Sequence, residues 1–223
     1  MKKTRWTLSI ANETLPRTTL ILAGGQGTRI GGEKLALAVD SELLLSRVVR
    51  SIISFSEEIL LSVTTSQIPY VSSVLSGIIS QYGIRVVQDS IPMRAGPLLG
   101  IVSGLEASSS EWMFVCACDM PVISEAVVRT LWKSGDKSSS VIVPFIDGFY
   151  QPLHAFYNRS CLPEARILLQ EGRRKTTTLY DKVHVSPVED GCFSHLPAYR
   201  RSFENINSMA DIERMTGPIQ ADR

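Results

Sequence analysis

The sequence predicts an α/β domain with a mostly parallel sheet and helices on both faces. Short apolar runs alternate with segments whose apolar residues recur at helical spacing. Those runs are mainly apolar rather than alternately apolar and polar, as in strands buried on both faces. The 223 residues, 44% of them apolar and 20% charged, suit one sizeable core. A chain of this length buries roughly 70–75% of its unfolded surface and needs neither disulfide nor structural metal to hold it.

Taken in order, Thr18–Ala23 reads as a first strand that runs into glycines. Leu44, Leu45, Val48, Val49, Ile52 and Ile53 then repeat as one face of a helix. Glu58–Val63 is a second strand. Residues 68–81 are predicted as one helix, with Val71, Val74, Leu75 and Ile78 on one side. Ile84–Val87 is a third strand, Leu98–Ala107 a helix and Trp112–Cys118 a fourth strand. Val127, Val128, Leu131 and Trp132 mark another helix, with Ser124 placed to cap it. Beyond residue 140, Val141–Pro144 and Tyr150–Tyr157 flank an Asp147-Gly148 turn, which suggests a hairpin or bulged strands. Leu162–Gln170 is helical, and Ser208-Met209-Ala210-Asp211 resembles the capping-box start of a last helix. There is no internal repeat and no linker rich in Pro, Gly or Ser. The expected organisation is an N-terminal extension, 1–17, and a single domain, 18–217.

Charge and hydropathy exclude two classes. Twenty-three basic against 22 acidic residues leave a formal charge of +1, far from the strongly basic balance of a nucleic-acid-binding protein. The longest unbroken apolar run, Trp112–Cys118, has seven residues, whereas a membrane span needs about 20. Lys2, Lys3, Arg5 and Arg17 are not followed by an apolar stretch of signal-peptide length, so a cytoplasmic protein is expected. Cys116, Cys118, Cys161 and Cys192 form no CxxC pair, and the three histidines lack zinc-ligand spacing. Cys116 and Cys118, on one face of an apolar run, read as small buried hydrophobes.

The most informative segment is Leu22-Ala23-Gly24-Gly25-Gln26-Gly27-Thr28-Arg29-Ile30-Gly31-Gly32-Glu33-Lys34. Four of the eight residues from Gly24 to Gly31 are glycine, and Arg29 and Lys34 supply two cations. Glycines let backbone N–H groups approach an anion closely, and cations beside them suit a polyphosphate. The segment is not a Walker A loop, because Leu35 follows Lys34, and not a dinucleotide fingerprint, because Ile30 stands where the third glycine belongs.

The segment resembles the LAGGxSxRMGxDK signature of the molybdopterin-guanine dinucleotide family of nucleotidyltransferases. Gly27, Ile30 and Glu33 replace the usual Ser, Met and Asp, while Arg29, Gly31 and Lys34 stand at matching places. Val87-Gln88-Asp89 with Gly96-Pro97-Leu98-Leu99-Gly100 resembles the family's EDxxPxxGPLAG. Cys116-Ala117-Cys118-Asp119-Met120-Pro121 resembles xCDMP, and the stretch from Gly148 to Tyr157 resembles GxxxPLxAxY. Phe203-Glu204-Asn205-Ile206-Asn207 resembles FxNxN. The resemblance spans about residues 18–215. It implies a three-layer Rossmann-like nucleotidyltransferase domain that transfers GMP from GTP to molybdopterin phosphate, with Mg²⁺ as cofactor. Other molybdenum cofactor assembly proteins are implied as candidate partners.

The implied roles follow residue by residue. The backbone from Leu22 and Ala23 through Gly24, Gly25 and Gly27, with Arg29, would hold the nucleotide's phosphates. Lys34 would face the α-phosphate. Asp119 follows an apolar strand, where an open parallel sheet has its ligand crevice, and would bind Mg²⁺; a helix-capping or turn aspartate is its structural alternative. Asp89 would contact nucleotide or metal, with an Asx-turn as its alternative. Arg174, Lys175, Asn205 and Asn207 would bind the acceptor, although a solvated helix face and backbone turns explain the same residues. Two competing functions stand beside this one: a related nucleotidyltransferase using CTP or another phosphate acceptor, and a nucleotide-binding adaptor without turnover.

Overall fold

The computed structural model describes residues 14–23, 26–27, 32–89, 96–206 and 211; for 26–27 and 32–34 it describes the backbone alone. The strands are β1 (Thr18–Leu22), β2 (Gln26–Gly27), β3 (Gly32–Glu33), β4 (Ala38–Val39), β5 (Glu42–Leu43), β6 (Glu58–Val63), β7 (Arg85–Gln88), β8 (Trp112–Ala117), β9 (Val141–Ile146), β10 (Phe149–Tyr150), β11 (His154–Asn158) and β12 (Val185–Glu189). The α-helices are α1 (Leu44–Ile52), α2 (Ile68–Ser73), α3 (Ser76–Tyr82), α4 (Gly96–Ala107), α5 (Glu125–Ser134) and α6 (Leu162–Gln170). The main sheet runs β10-β9-β11-β8-β1-β6-β7, with β12 on the outer side of β9. The block β8-β1-β6-β7 is parallel, whereas β11 runs antiparallel to both β8 and β9.

Burial explains the strand composition. Every residue of β1 is buried, because helices cover both faces of this central strand. On one face the core joins Val48, Val49 and Ile52 of α1 to Val127, Val128 and Leu131 of α5. On the other it joins Leu98, Ile101 and Leu105 of α4 to Leu162, Ala165 and Leu168 of α6. The predicted three layers are therefore present. Helix α4 is buried at every position from Leu98 to Leu105, as befits a helix between a sheet and another helix. Glycines bring it close: a Cβ at Gly100 would stand 2.5 Å from Leu22 Cδ2, and one at Gly104 2.6 Å from Leu20 Cδ2.

Two expectations need correction. The helix predicted over residues 68–81 is two helices, interrupted at Val74 and Leu75. Leu75 is buried there, while Val74 is 53% exposed rather than part of the apolar face. Ser124 does precede α5, but its side chain makes no capping hydrogen bond. Ahead of β1, Leu15 is buried in the core. The last helix predicted from Ser208 lies outside the described residues, Asp211 excepted. The Asp147-Gly148 hairpin is present, with both residues at positive φ, +50° and +82°. Among the described residues no helix is long and apolar enough to cross a membrane.

His154 is fully buried at the start of β11, opposite Cys116. Its ring meets Phe114 and Phe203 edge-on, at 5.0 and 4.8 Å between centroids. Neither ring nitrogen has a hydrogen-bond partner among the described residues. Burial pushes its pKa down from 6.5 to about 3. Between these values the unfolded chain binds the proton that the folded one refuses, so stability falls as pH drops from about 6.5 towards 3. The full loss is on the order of several kcal/mol. His154→Phe should flatten this acid limb in urea titrations run from pH 7 to pH 4; an unchanged slope would assign the limb to other groups.

Candidate functional site

From β1 the chain winds through α1 to β6 and through α2 and α3 to β7; α4 then carries it back to β8, on the other side of β1. The strand order therefore reverses between β1 and β8, and the crevice outside the carboxyl ends at such a point is where open α/β sheets bind ligands. Leu22 and Ala23 form one lip and Cys118 and Asp119 the other. The Cys118 N–H donates to the Leu22 carbonyl at 3.0 Å, and the Ala23 N–H donates to the Ser62 carbonyl at 3.0 Å. The end of β1 is thus held from both sides.

Asp119 sits in a turn just beyond β8, closed by the Met120 N–H on the Ala117 carbonyl at 3.2 Å. It is 2% exposed. Its carbonyl accepts from the Ile206 N–H at 2.9 Å, which brings the exposed Asn205 to the same edge. The residues suit Mg²⁺ in donor chemistry. Mg²⁺ takes hard oxygen ligands, commonly one or two carboxylates, and completes its shell with phosphates and water. Among the described residues there is no group of three or more His, Cys, Asp or Glu that would form a complete protein cage. Asp119 offers a strand-end carboxylate of the kind required.

Asp89 follows β7, three strand spacings from β8, about 14 Å at the backbone. The two residues therefore follow different strands of the parallel block. The Asp89 carboxylate is buried and accepts from Ser62 Oγ at 2.8 Å. Burial raises its pKa, opposed by the hydroxyls of Ser62 and Ser103. With Leu22, Ser62, Pro97, Gly100 and Leu153 it lines a small cavity under the start of α4.

The Arg174 backbone packs against the start of α4. A Cβ at Gly96 would stand 2.7 Å from the Arg174 carbonyl oxygen, and Gly96 has φ of +67°. Gly96→Ala therefore combines left-handed strain with a backbone collision. We expect a loss of about 1–3 kcal/mol, read as a lowered urea midpoint; an unchanged midpoint would show that the loop carrying Arg174 yields freely. Lys175 is exposed beside Arg174.

Of the expected site residues, the structure thus gathers Leu22, Ala23, Asp119 and Asn205 at the switch point, and places Asp89 and Arg174 near the start of α4. Gly27 lies in β2, and Lys34 opens a short 3₁₀ turn, Lys34–Ala36. Gly24, Gly25, Arg29 and Asn207 lie outside the described residues.

Two side chains at the edge were not singled out by sequence. Ser62 could have been noticed as a polar residue inside an apolar strand. Gln67 stands between a strand and a helix and carried no periodic signal, yet it is 3% exposed. Its Nε2 donates to the Ala23 carbonyl at 3.1 Å, and its Oε1 accepts from the Thr64 N–H at 2.9 Å.

Comparison with known proteins agrees with this architecture. Residues 19–185 match the family described as the MobA-like NTP transferase domain. A probable molybdenum cofactor guanylyltransferase from Methanosarcina acetivorans is 33% identical over 212 residues, 92% of each chain. A molybdenum cofactor guanylyltransferase from Vibrio cholerae is 28% identical over 210 residues, covering 91% of this chain and 96% of the other. The crystal structure of molybdopterin-guanine dinucleotide biosynthesis protein A from Archaeoglobus fulgidus superposes with a TM-score of 0.74 at 24% identity, over 88% of this chain and 95% of that one. The chain therefore belongs to the MobA-like NTP transferase family, and is a nucleotidyltransferase of molybdenum cofactor biosynthesis.

Proposed function

We propose that the protein transfers the GMP moiety of GTP to the phosphate of molybdopterin. An oxygen of the acceptor phosphate attacks the α-phosphorus, the bond from that phosphorus to the bridging oxygen breaks, and pyrophosphate leaves with the electron pair. The product is a guanine dinucleotide form of the cofactor. The observation that carries the reading is the meeting, at the switch point, of the end of β1 with the buried Asp119. The name shared by the relatives, molybdenum cofactor guanylyltransferase, supports a guanine nucleotide and a pterin acceptor as the pair.

Little covalent chemistry falls to the protein; positioning and charge neutralisation carry the rate. The glycine backbone and Arg29 hold the β- and γ-phosphates, and Lys34 faces the charge that grows at the α-phosphate. Asp119 would hold Mg²⁺, which when bound would neutralise phosphate charge. Asp89, seated between Ser62 and the start of α4, lines the nucleotide's side of the crevice. Arg174, Lys175, Asn205 and Asn207 receive the acceptor.

Base preference is directly testable. At a given concentration, a ligand that binds only the folded state raises the melting temperature more the more tightly it binds. With Mg²⁺ present, GTP should stabilise the protein more than CTP or ATP at equal concentration. Equal shifts would count against a guanine pocket and favour the related nucleotidyltransferase that uses CTP or another phosphate acceptor.

A further inference from the structure

The side chain of Gln67 is committed at both ends. Its amide NH₂ binds the carbonyl of Ala23, the last described residue before the glycines, and its amide oxygen binds the N–H of Thr64, the first residue after β6. Thr64 Oγ1 also donates to that oxygen, at 3.2 Å. Gln67 therefore ties together the ends of two neighbouring parallel strands on the ligand side of the sheet. The Ala23 backbone is held twice from this side, its N–H by the Ser62 carbonyl and its C=O by Gln67.

We infer that Gln67 is a positioning residue for the nucleotide. Ala23 C=O belongs to the peptide unit that opens the glycine segment. Peptide units are planar, so fixing that carbonyl restricts the plane from which the segment departs. An amide is suited to the task because it donates at one end and accepts at the other. The two bonds also need each other's geometry: the NH₂ is aimed at β1 only while the oxygen is held on Thr64. A buried carbonyl deprived of its donor is costly and would turn in search of another. Small misplacements of reacting groups cost up to about a hundredfold in rate. The inference rests on the nucleotidyl-transfer reading above, and it adds a residue that touches neither substrate but sets the donor side of the crevice.

The test uses two variants of the full chain. Gln67→Glu keeps the shape and the acceptor for Thr64 but removes the donor to Ala23. Gln67→Met keeps length and apolar volume and removes both bonds. For each, urea stability is measured, Mg·GTP affinity is titrated without acceptor, and kcat and the two KM values are determined with GTP and molybdopterin. Positioning predicts that both variants lose about ten- to a hundredfold in kcat/KM for GTP, while KM for molybdopterin stays within twofold. The loss should persist under conditions where each variant is fully folded. Wild-type kcat/KM for GTP in Gln67→Glu would overturn the inference, as would a rise in KM for molybdopterin as large as the loss towards GTP. If Gln67→Glu does not fold, Gln67→Met decides by the same criteria; failure of both to fold makes Gln67 a core residue only and also overturns it. The wild-type protein serves as control. Its failure to bind or use GTP would count against the function proposed above, whereas a normal wild type with unimpaired variants would count against the role of Gln67 alone.

Discussion

Asp119→Asn should lower turnover about a thousandfold and leave the fold intact. Asn has nearly the same size, and the backbone bonds that shape the turn, from Met120 to Ala117 and from Ile206 to Asp119, do not involve the substituted atoms. What is lost is the negative charge that would hold Mg²⁺ against the phosphates. A metal stabilises phosphoryl charge in a transition state by several kcal/mol, and each 1.36 kcal/mol is a factor of ten. Removing about 4 kcal/mol therefore gives the expected factor. The decisive measurement is single-turnover rate across a Mg²⁺ titration, accompanied by the melting temperature. Turnover like wild type at limiting Mg²⁺ would remove Asp119 from the metal site and leave it as a turn residue.

Lys34→Ala should reduce the rate by about a hundred- to a thousandfold, the usual effect of deleting one preorganised donor aimed at developing charge. Lys34 opens the 3₁₀ turn Lys34–Ala36 and directly precedes Leu35, which is 1% exposed and anchored in the core. Its place at the exit of the glycine segment is therefore fixed by a buried neighbour. If its ammonium meets charge that appears chiefly in the transition state, the variant should still bind Mg·GTP within about tenfold, because only differential stabilisation raises kcat. A nucleotide titration run beside single-turnover kinetics separates the cases. Normal turnover would retire Lys34 from the reaction, and equal losses in binding and rate would make it a ground-state anchor.

What the sequence made legible was local. Continuous apolar runs marked β1, β6 and β8 because helices cover both faces of those strands, and the Asp147-Gly148 pair marked its hairpin because both residues take positive φ. Periodicity did not reveal the break at Val74 and Leu75, since two short helices in sequence keep nearly the same apolar spacing. The edge strand β12 was missed as well. It contains Pro187 and has only Val188 buried, so it lacks the apolar signature of the inner strands. At the site, Asp89 and Asp119 were readable as carboxylates after strands, because strand ends are where a parallel sheet presents ligands. The bonds from Ser62 to Asp89 and from the Gln67 amide to Ala23 were not, because they depend on β6 lying between β1 and β7, a tertiary fact. The burial of His154 between two aromatic rings was hidden for the same reason.

The central claim is guanylyl transfer to a pterin phosphate at the crevice between β1 and β8. Its most direct test is to incubate the protein with Mg²⁺, molybdopterin and α-labelled GTP, CTP or ATP in turn, following both pyrophosphate and the labelled product. The account predicts label from GTP in a dinucleotide product, one pyrophosphate released for each molecule formed, and strong dependence on molybdopterin. Label transferred from CTP in preference to GTP, or GTP bound without any pyrophosphate release, would contradict it.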